Sequence, residues 1–298
     1  MPDETPVIIE VRCNEAAERG DNPALPYGPG EVVEELLAAF DAGASLLHWH
    51  ARDDEGVEHA DDVALQREVI EGVRARTADA ILHPTLGFLS TQGDAQGRMR
   101  HILELCKDPA TRPDVVPVDF GAYSADLFDV RDRRFLTDDV FVVNQVGYLE
   151  ELLGVVEEND LHVYPVVWSA GGVRTARRLQ ETGLLTRPTL WCLGFTGEEV
   201  PGGPPATPAN LRTFLDELPP GAPWTVHCRN GDVLPLAAWA ITQGGHVSIG
   251  LGDHPYSRFG KPRNSDLVAM VADMARTLGR PVATPQQARG ILGLDGVR

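Results

Sequence analysis

The sequence predicts a single (β/α)8 barrel spanning residues 1–298, and three observations predict it. Short apolar runs, typical of buried parallel strands, alternate with amphipathic helical patterns along the chain. There are eight such runs, which is the number of strands that closes this barrel. No linker-like, repetitive or low-complexity segment divides the chain, and a barrel of this length is an ordinary single domain.

The predicted strands are apolar runs rich in β-branched residues, and a helical pattern follows each of them. The first helical pattern begins near Pro29 and ends at Gly43, which are usual start and stop signals. Region 122–144 is less regular and is expected to add a short strand at "FVVN". The strands are predicted at 6–13, 44–51, 80–87, 114–121, 161–168, 189–196, 223–229 and 245–253.

A doubly wound open sheet is the alternative fold for the same alternation of strands and helices. A dinucleotide-binding fold of that kind needs a G-x-G-x-x-G turn after its first strand. The chain has "NEAAERGD" there, without that pattern. The barrel is therefore favoured.

Composition limits the classes of partner. The formal charge of −18 disfavours nucleic acid and anionic membranes, which an acidic surface repels. No apolar run reaches 18 residues, and the first residues carry no basic stretch followed by an apolar one, so neither a membrane span nor a signal peptide is expected. The four cysteines are scattered, which is typical of reduced thiols. We expect a cytoplasmic protein.

Two histidines end the second predicted strand, in "ASLLHWHAR". Side chains two residues apart in a strand lie on the same side, so His48 and His50 are expected side by side. Barrel enzymes carry their chemistry at the C-terminal ends of the strands, and imidazole suits zinc and related metals. The sequence predicts a divalent metal at this pair, zinc being the first choice. The alternative is a pair of partly buried histidines that hydrogen-bond to neighbours.

Four stretches together resemble the β-keto acid cleavage enzyme family over nearly the whole chain. The most specific of their motifs are N-P-x-L-P, H-x-H-x-R-D and A-T-P-x-x-A-R-x-I-L. The resemblance implies a zinc-type (β/α)8 barrel, commonly a homotetramer, that joins a β-keto acid with acetyl-CoA to give acetoacetate and a new acyl-CoA. The stretches are "NEAAERGDNPALPYGPGEV", "AGASLLHWHARDDEG", "GGHVSIGLGD" and "LGRPVATPQQARGILGL".

The resemblance also implies roles for individual residues. His48 and His50 match the two histidine ligands, and Asp253 matches the aspartate that acts as general base. Glu15 lies near the glutamate that contacts the substrate, and it is the second expected catalytic residue. The candidate substrate-binding residues, at the exits of the first, third and fourth strands, are Asn14, Thr85, Gly87 and Asp119.

The chain departs from the family pattern at polar positions of the pocket. Gly252 stands where the family has a glutamate that is the third metal ligand, and Ser248 stands where it has an arginine that supports the base. Pro84 replaces a serine and Asp119 replaces an asparagine, while the glutamates usual on strand five are absent from "YPVVWSAGG". The scaffold matches, but the polar residues of the pocket differ.

The missing glutamate leaves a third ligand to be assigned. In an extended strand His254 would lie on the same side as Gly252, and Pro255 makes a bend there plausible. We therefore predict His254 as the third ligand. His227, at the end of strand seven, and a water molecule are the alternatives.

The chemistry of the residues agrees with carbon–carbon bond cleavage next to a ketone, which needs an electron sink. Neither lysine of the chain, Lys107 or Lys261, lies at a strand end, so a Schiff base is disfavoured. A metal that polarises the carbonyl, with Asp253 as base, is the other route. A metal-dependent amide or lactone hydrolase and a non-catalytic relative that binds a small anion are the alternative functions.

Overall fold

The computed structural model describes residues 5–15, 17–87, 94–187 and 189–295. Eight of its strands form one parallel sheet that is nearly closed into a barrel, with helices between the strands. In chain order the strands are β1 (Ile9–Arg12), β2 (Leu46–Trp49), β3 (Ile81–Pro84), β4 (Val116–Phe120), β5 (Ala122–Ser124), β6 (Phe128–Asp129), β7 (Arg134–Phe135), β8 (Phe141–Val143), β9 (Val163–Val167), β10 (Trp191–Thr196), β11 (Trp224–Arg229) and β12 (His246–Ile249).

The order of the barrel strands is β3-β2-β1-β12-β11-β10-β9-β4. The first strand of the chain therefore pairs with the last one, and Glu10 lies opposite Ser248. At the open seam, the amide of Asp114 donates a hydrogen bond of 3.0 Å to the carbonyl of Leu82, just before β4 begins. The (β/α)8 barrel predicted from the alternation is confirmed, and each predicted run contains one barrel strand.

Helices cover the outside of the barrel. Several begin at a side chain that accepts hydrogen bonds from the first turn, as Asp62 does from Ala64 and Leu65, which satisfies amides that would otherwise lack partners. No helix of the described residues is long and apolar enough to cross a membrane. The helices are α1 (Pro29–Asp41), α2 (Val63–Arg74), α3 (Ala95–Leu105), α4 (Val146–Glu158), α5 (Ala170–Glu181), α6 (Pro208–Leu215), α7 (Leu234–Thr242), α8 (Asn264–Thr277) and α9 (Pro285–Ile291), with one 3-10 turn at Ser257–Phe259.

The irregular region after β4 is an excursion from the barrel. β5 pairs with β8 and β6 pairs with β7, both antiparallel, so the excursion consists of two small nested hairpins. The extra strand expected at "FVVN" is present as β8, whereas the inner hairpin of β6 and β7 was not foreseen. Its "FDVRDRRF" sequence mixes charged and apolar residues without a clear alternation.

Side chains along each strand point alternately to the two faces of the sheet, and they form one core outside the barrel and a second core inside it. On β1, Ile9 and Val11 belong to the outer core between the sheet and the helices, while Ile8 belongs to a second core inside the barrel. The inside of β1 continues with Glu10 and Arg12, so polar side chains follow the apolar base of the barrel toward the C-terminal strand ends. β2 and β3 repeat the change from apolar to polar at the inside positions Leu46, His48, Ile81 and His83.

The helix α9 closes the lower end of the barrel. Ala288, Leu292 and Leu294 pack into the same inner core as Ile8. The guanidinium of Arg289 also donates a hydrogen bond of 2.8 Å to Asp114, before β4. Apolar burial at the lower end thus leaves the C-terminal strand ends as the open side.

Candidate active site

His48 and His50 are buried side by side at the end of β2, as their spacing predicted. Their ring centroids are 5.3 Å apart. The Nδ1 of His48 is 2.7 Å from the carbonyl of His83, and the Nδ1 of His50 is 2.7 Å from Oε1 of Glu58. Both partners are acceptors, so each Nδ1 donates a proton, and in the neutral form of either ring Nε2 would keep its lone pair. Hydrogen bonds of this kind orient histidines that bind metals.

The electrostatic state of His48 suits a metal ligand. Burial, followed by the charges of neighbouring His83 and Arg12, lowers the pKa of His48 well below its ordinary value. The ring is therefore neutral at physiological pH, which is the form that binds metal.

Glu15 lies beside this pair, at the end of β1. Its Oε1 is 3.5 Å from Nε2 of His48, and Glu15, His48 and His50 offer one ligand atom each within 4.8 Å of one another. Only 12% of the Glu15 side chain is exposed. Two imidazoles and one carboxylate form a donor set that suits zinc.

Gly252 explains how Glu15 comes so close. A Cβ at residue 252 would lie 2.7 Å from the amide nitrogen of Glu15 and 2.9 Å from its Cβ, so the first loop occupies the space of a side chain there. A glutamate at 252, as in the family pattern, would therefore require the loop that carries Glu15 to lie further away.

The structure does not bring His254 to the histidine pair. β12 ends at Ile249, and residues 251–253 form a turn, so the strand alternation on which that prediction depends stops before residue 252. The Nδ1 of His254 accepts a hydrogen bond of 3.0 Å from the amide of Tyr256, against whose ring it packs. Among the described residues, two groups are placed to hold a metal, Glu15 with His48 and His50, and Glu10 with His48 and His83; His254 belongs to neither.

Asp253, the expected base, is buried in the same turn and held by two neighbours. Its Oδ2 is 3.3 Å from Nε of Arg12 and 3.1 Å from Nδ1 of His227. Its Oδ1 has no hydrogen-bond partner among the described residues. Burial raises the pKa of Asp253 to about 6, although the positive charges of Arg12 and Arg229 act in the other direction. A carboxylate of this kind can accept a proton near neutral pH.

Arg12 connects the base to the candidate ligand. It is 8% exposed and forms ion pairs with both Asp253 and Glu15. The family pattern has its arginine at position 248, whereas here Arg12, on the neighbouring strand β1, places a guanidinium beside Asp253. Sequence reasoning missed it, although a signal existed: "IIEVRC" places two charges at alternate positions of an apolar strand.

Below Arg12, a fully buried carboxylate anchors the site. Glu10 accepts hydrogen bonds from Nδ1 of His83 at 2.7 Å and from Oγ of Ser248 at 2.5 Å, and it also contacts the hydroxyl of Tyr164. Burial raises the pKa of Glu10, but the hydrogen bond and charge of His83, with the charge of Arg12, outweigh it and lower the pKa to about 2. Glu10 is therefore an ionised partner for Arg12.

Three of the four candidate substrate-binding residues line the pocket that contains His48 and His50, and the fourth, Asn14, supports the backbone of His50. Thr85 and Gly87 line the pocket at the exit of β3, where the Thr85 hydroxyl accepts from the Gly87 amide at 2.9 Å. Asp119 also lines it, and its Oδ1 accepts from Nε1 of Trp168 at 2.8 Å. Asn14 lies behind the pocket wall, where its side chain hydrogen-bonds the amide and carbonyl of His50.

Other pocket residues could not be assigned from the sequence. Arg98 reaches the pocket from α3, Tyr123 from the excursion after β4, and Arg229 from the end of β11. Trp168 lines the pocket just after β9. Trp49, Phe120 and Phe195 pack in the outer core, as barrel packing would place them.

The geometry defines a barrel enzyme whose buried histidine pair and carboxylates meet at the C-terminal strand ends. The model of the beta-keto acid cleavage enzyme family matches residues 6–294. The chain therefore belongs to the β-keto acid cleavage enzyme family, and the recognition made from the motifs is confirmed.

Two curated relatives cover nearly the same length. The 3-keto-5-aminohexanoate cleavage enzyme of Acetoanaerobium sticklandii is 29% identical over 97% of this chain and 98% of its own length. The 3-oxoadipate:acetyl-CoA acetyltransferase of Cupriavidus necator is 29% identical over 98% of this chain and 96% of its own. As a member of this family the chain is a β-keto acid cleavage enzyme, which confirms the main prediction over the hydrolase and the non-catalytic relative.

Solved structures agree on the fold. The apo structure of ObcA superposes with a TM-score of 0.69 at 16% identity, over 91% of this chain and 66% of that one. The chain therefore spans slightly less than two thirds of the length of ObcA. The HMG-CoA lyase of Brucella melitensis superposes with a TM-score of 0.53 at 15% identity, over 97% of both chains.

Proposed function

We propose that this site cleaves its β-keto acid with a divalent metal held by His48, His50 and Glu15. The single observation that carries the proposal is the position of Glu15, whose Oε1 approaches Nε2 of His48 where residue 252 has no side chain. A carboxylate from β1 thus replaces the one that the family pattern has after strand eight.

The donor set fits such a metal. Both imidazoles are oriented through Nδ1, His48 is neutral, and Glu15 supplies one negative charge. A metal bound there would supply Lewis acidity that polarises the ketone of the keto acid.

The protein's own residues handle the proton. The acidic proton lies on the carbon between the carboxylate and the ketone, and Oδ1 of Asp253 is a buried carboxylate oxygen that has no hydrogen-bond partner among the described residues. Arg12 and His227 hold the other oxygen and so fix the direction of Oδ1. Thr85 and Gly87, at the exit of β3, face the reacting carboxylate of the substrate.

The overall reaction conserves atoms. The bond between the second and third carbons of the keto acid breaks, and the acyl group passes to the sulfur of CoA. The two-carbon unit that remains joins the acetyl group of acetyl-CoA, which gives acetoacetate.

The test removes the proposed ligand and measures metal directly. For Glu15→Gln we expect metal affinity to fall by more than the about 10–100-fold that is typical of losing an outer-shell partner. Elemental analysis and competition with a chelating dye measure this fall. Glu18→Gln, an exposed glutamate of the same loop, is the matched control. A metal affinity of Glu15→Gln equal to that of wild type would show that Glu15 is not a ligand.

A second experiment measures bound metal and product formation in variants of the two histidines. His48→Ala and His50→Ala should remove both bound metal and acetoacetate formation from keto acid and acetyl-CoA. Release of a free acid without consumption of acetyl-CoA would contradict the proposed reaction and favour hydrolysis.

Three finer expectations belong to this proposal. Zinc is the expected ion, because two imidazoles and a carboxylate suit it. The homotetramer that the resemblance implies is supported by exposed apolar side chains on the excursion, such as Phe135, Leu136 and Phe141. The four free thiols support a cytoplasmic location. Elemental analysis, light scattering and cell fractionation test these points in turn.

A further inference from the structure

Arg98 is a positively charged pocket residue with unused hydrogen-bond donors. It reaches the pocket from α3, and its Nη2 donates a hydrogen bond of 3.0 Å to the carbonyl of Gly87. Among the described residues, its buried Nε has no hydrogen-bond partner and its guanidinium has no ion pair. A buried charged donor is costly unless an acceptor completes it, so this guanidinium is placed to receive an anionic group of a ligand.

The hydrogen bond to Gly87 holds the Arg98 guanidinium at the exit of β3, where the reacting carboxylate of the substrate is expected. Pro84 replaces a serine of the family pattern there and has no side-chain donor, and the Gly87 amide already donates to the hydroxyl of Thr85 at 2.9 Å. A hydroxyl that accepts a hydrogen bond can still donate its own hydrogen. In the described part of this exit, the Thr85 hydroxyl and the Arg98 guanidinium are therefore the donors that a carboxylate can use.

A β-keto acid can react in two ways at its second carbon. Removal of a proton starts the proposed reaction, and the carboxylate keeps its charge. Decarboxylation instead breaks the bond between the second carbon and the carboxylate, whose electron pair passes to the ketone while neutral CO2 leaves. A proton from water then completes a methyl ketone. Because the ketone accepts the electrons in both reactions, polarising the ketone favours both.

A positive charge beside the carboxylate affects the two reactions in opposite directions. An ion pair stabilises a carboxylate that keeps its charge, and this stabilisation is lost in a transition state that turns the carboxylate into CO2. Removal of the proton places a second negative charge on the neighbouring carbon, and a fixed guanidinium lowers the cost of that charge. A guanidinium at this point therefore slows decarboxylation and favours removal of the proton.

Resting on the proposed function, we propose that Arg98 binds the reacting carboxylate and thereby protects the substrate against decarboxylation. Arg98 is then a substrate-binding residue that determines which of two reactions the site performs. The planar guanidinium suits this role because it can bind Gly87 and a carboxylate at the same time. A merely structural role, in which Arg98 only holds the Gly87 carbonyl, would lower the rates of both reactions alike.

The experiment measures both products of one substrate. Metal-loaded wild type, Arg98→Gln and Arg98→Lys are incubated with 3-oxohexanoate and acetyl-CoA, and butanoyl-CoA and pentan-2-one are quantified against an enzyme-free blank. We expect the ratio of pentan-2-one to butanoyl-CoA to rise about 10–100-fold in Arg98→Gln, as loss of a charged hydrogen bond implies. Arg98→Lys keeps the charge and should show a smaller rise. Arg100→Gln is the matched control, because Arg100 is exposed on the same helix and pairs with Asp61.

A binding measurement provides a readout that needs neither metal nor turnover. In the metal-free protein without CoA, calorimetry should give a dissociation constant for acetoacetate about 10–100-fold higher in Arg98→Gln than in wild type. Acetone, which lacks the carboxylate, should not distinguish the two proteins. Circular dichroism of both variants checks that they are folded.

The outcomes separate this inference from the proposed function. If wild type forms butanoyl-CoA and Arg98→Gln leaves the product ratio unchanged, the inference alone is overturned. Equal ratios in Arg98→Gln and Arg98→Lys would also overturn it and would assign the effect to the hydrogen bond with Gly87. Absence of acyl-CoA from a series of 3-oxo acids of increasing length in wild type would overturn the proposed function. The acetoacetate affinities would then decide by themselves whether Arg98 binds the carboxylate.

Discussion

Glu10 is a carboxylate with no exposure to solvent, and its cost of burial is offset by the donors around it. His83, Ser248, Tyr164 and Arg12 all contact it. A buried charge that loses its partners is strongly destabilising, so this residue bears on stability as well as on the site above it.

Replacing Glu10 by Gln should destabilise the protein by about 3 kcal/mol at neutral pH, since the pKa is lowered from 4.5 in the unfolded reference to about 2. Because the pKa of Glu10 is lower in the folded protein, its carboxylate adds fully to the free energy of unfolding above pH 4.5. This stabilisation is lost as the pH falls toward 2. Urea unfolding of wild type and variant at neutral pH and at about pH 3 measures the difference, which should shrink in acid. Glu104→Gln serves as control, because the Glu104 side chain is 45% exposed and pairs with Lys107. A difference that is constant with pH would contradict the assignment.

At the scale of elements, the loop after β2 folds back on itself and contacts His50 at the end of that strand. A bridge between Arg52 and Glu58 closes this loop, and Asp53 accepts from the amide of Val57 at 2.8 Å. The return brings the carboxylate of Glu58 to Nδ1 of His50. The loop is therefore part of the site although none of its residues after His50 lines the pocket.

We expect Glu58→Gln to lower metal affinity about 10–100-fold while metal stoichiometry at saturation is kept, because His50 loses an oriented, charged partner but not its Nε2. Competition with a chelating dye measures the affinity. Glu55→Gln, an exposed glutamate of the same loop, should match wild type. Equal affinities in the two variants would mean that Glu58 does not orient His50.

The elements also show what could be read from the sequence. The eight barrel strands and the His48–His50 pair follow from local periodicity, because alternation and strand ends depend on neighbouring residues. The approach of Glu15 to His48 depends on β1 lying between β2 and β12 and on the space at Gly252, which no local pattern encodes. The His254 prediction extended strand alternation past Ile249, where the backbone turns.

On the scale of the whole molecule, contacts distant in sequence join the barrel. β1 pairs with β12, and α9 packs into the inner core with Ile8 while Arg289 reaches Asp114. We propose that residues 1–298 form one domain, as the sequence predicted.

One domain should unfold in a single cooperative transition. We expect tryptophan fluorescence, far-UV circular dichroism and loss of bound metal to change together across a urea titration. Measurements with and without added metal separate metal loss from unfolding, and metal should shift the midpoint upward. Two resolved transitions in the metal-free protein would contradict a single folding unit.

The pairing of β1 with β12 has a consequence for biosynthesis. Glu10, Arg12 and Glu15 leave the ribosome more than two hundred residues before Ser248 and Asp253. Until the last barrel strand is translated, Arg12 lacks Asp253 and the first strand has an unpaired edge. A nascent chain can therefore assemble the full constellation only after β12 has emerged, so that acquisition of catalytic competence coincides with closure of the barrel.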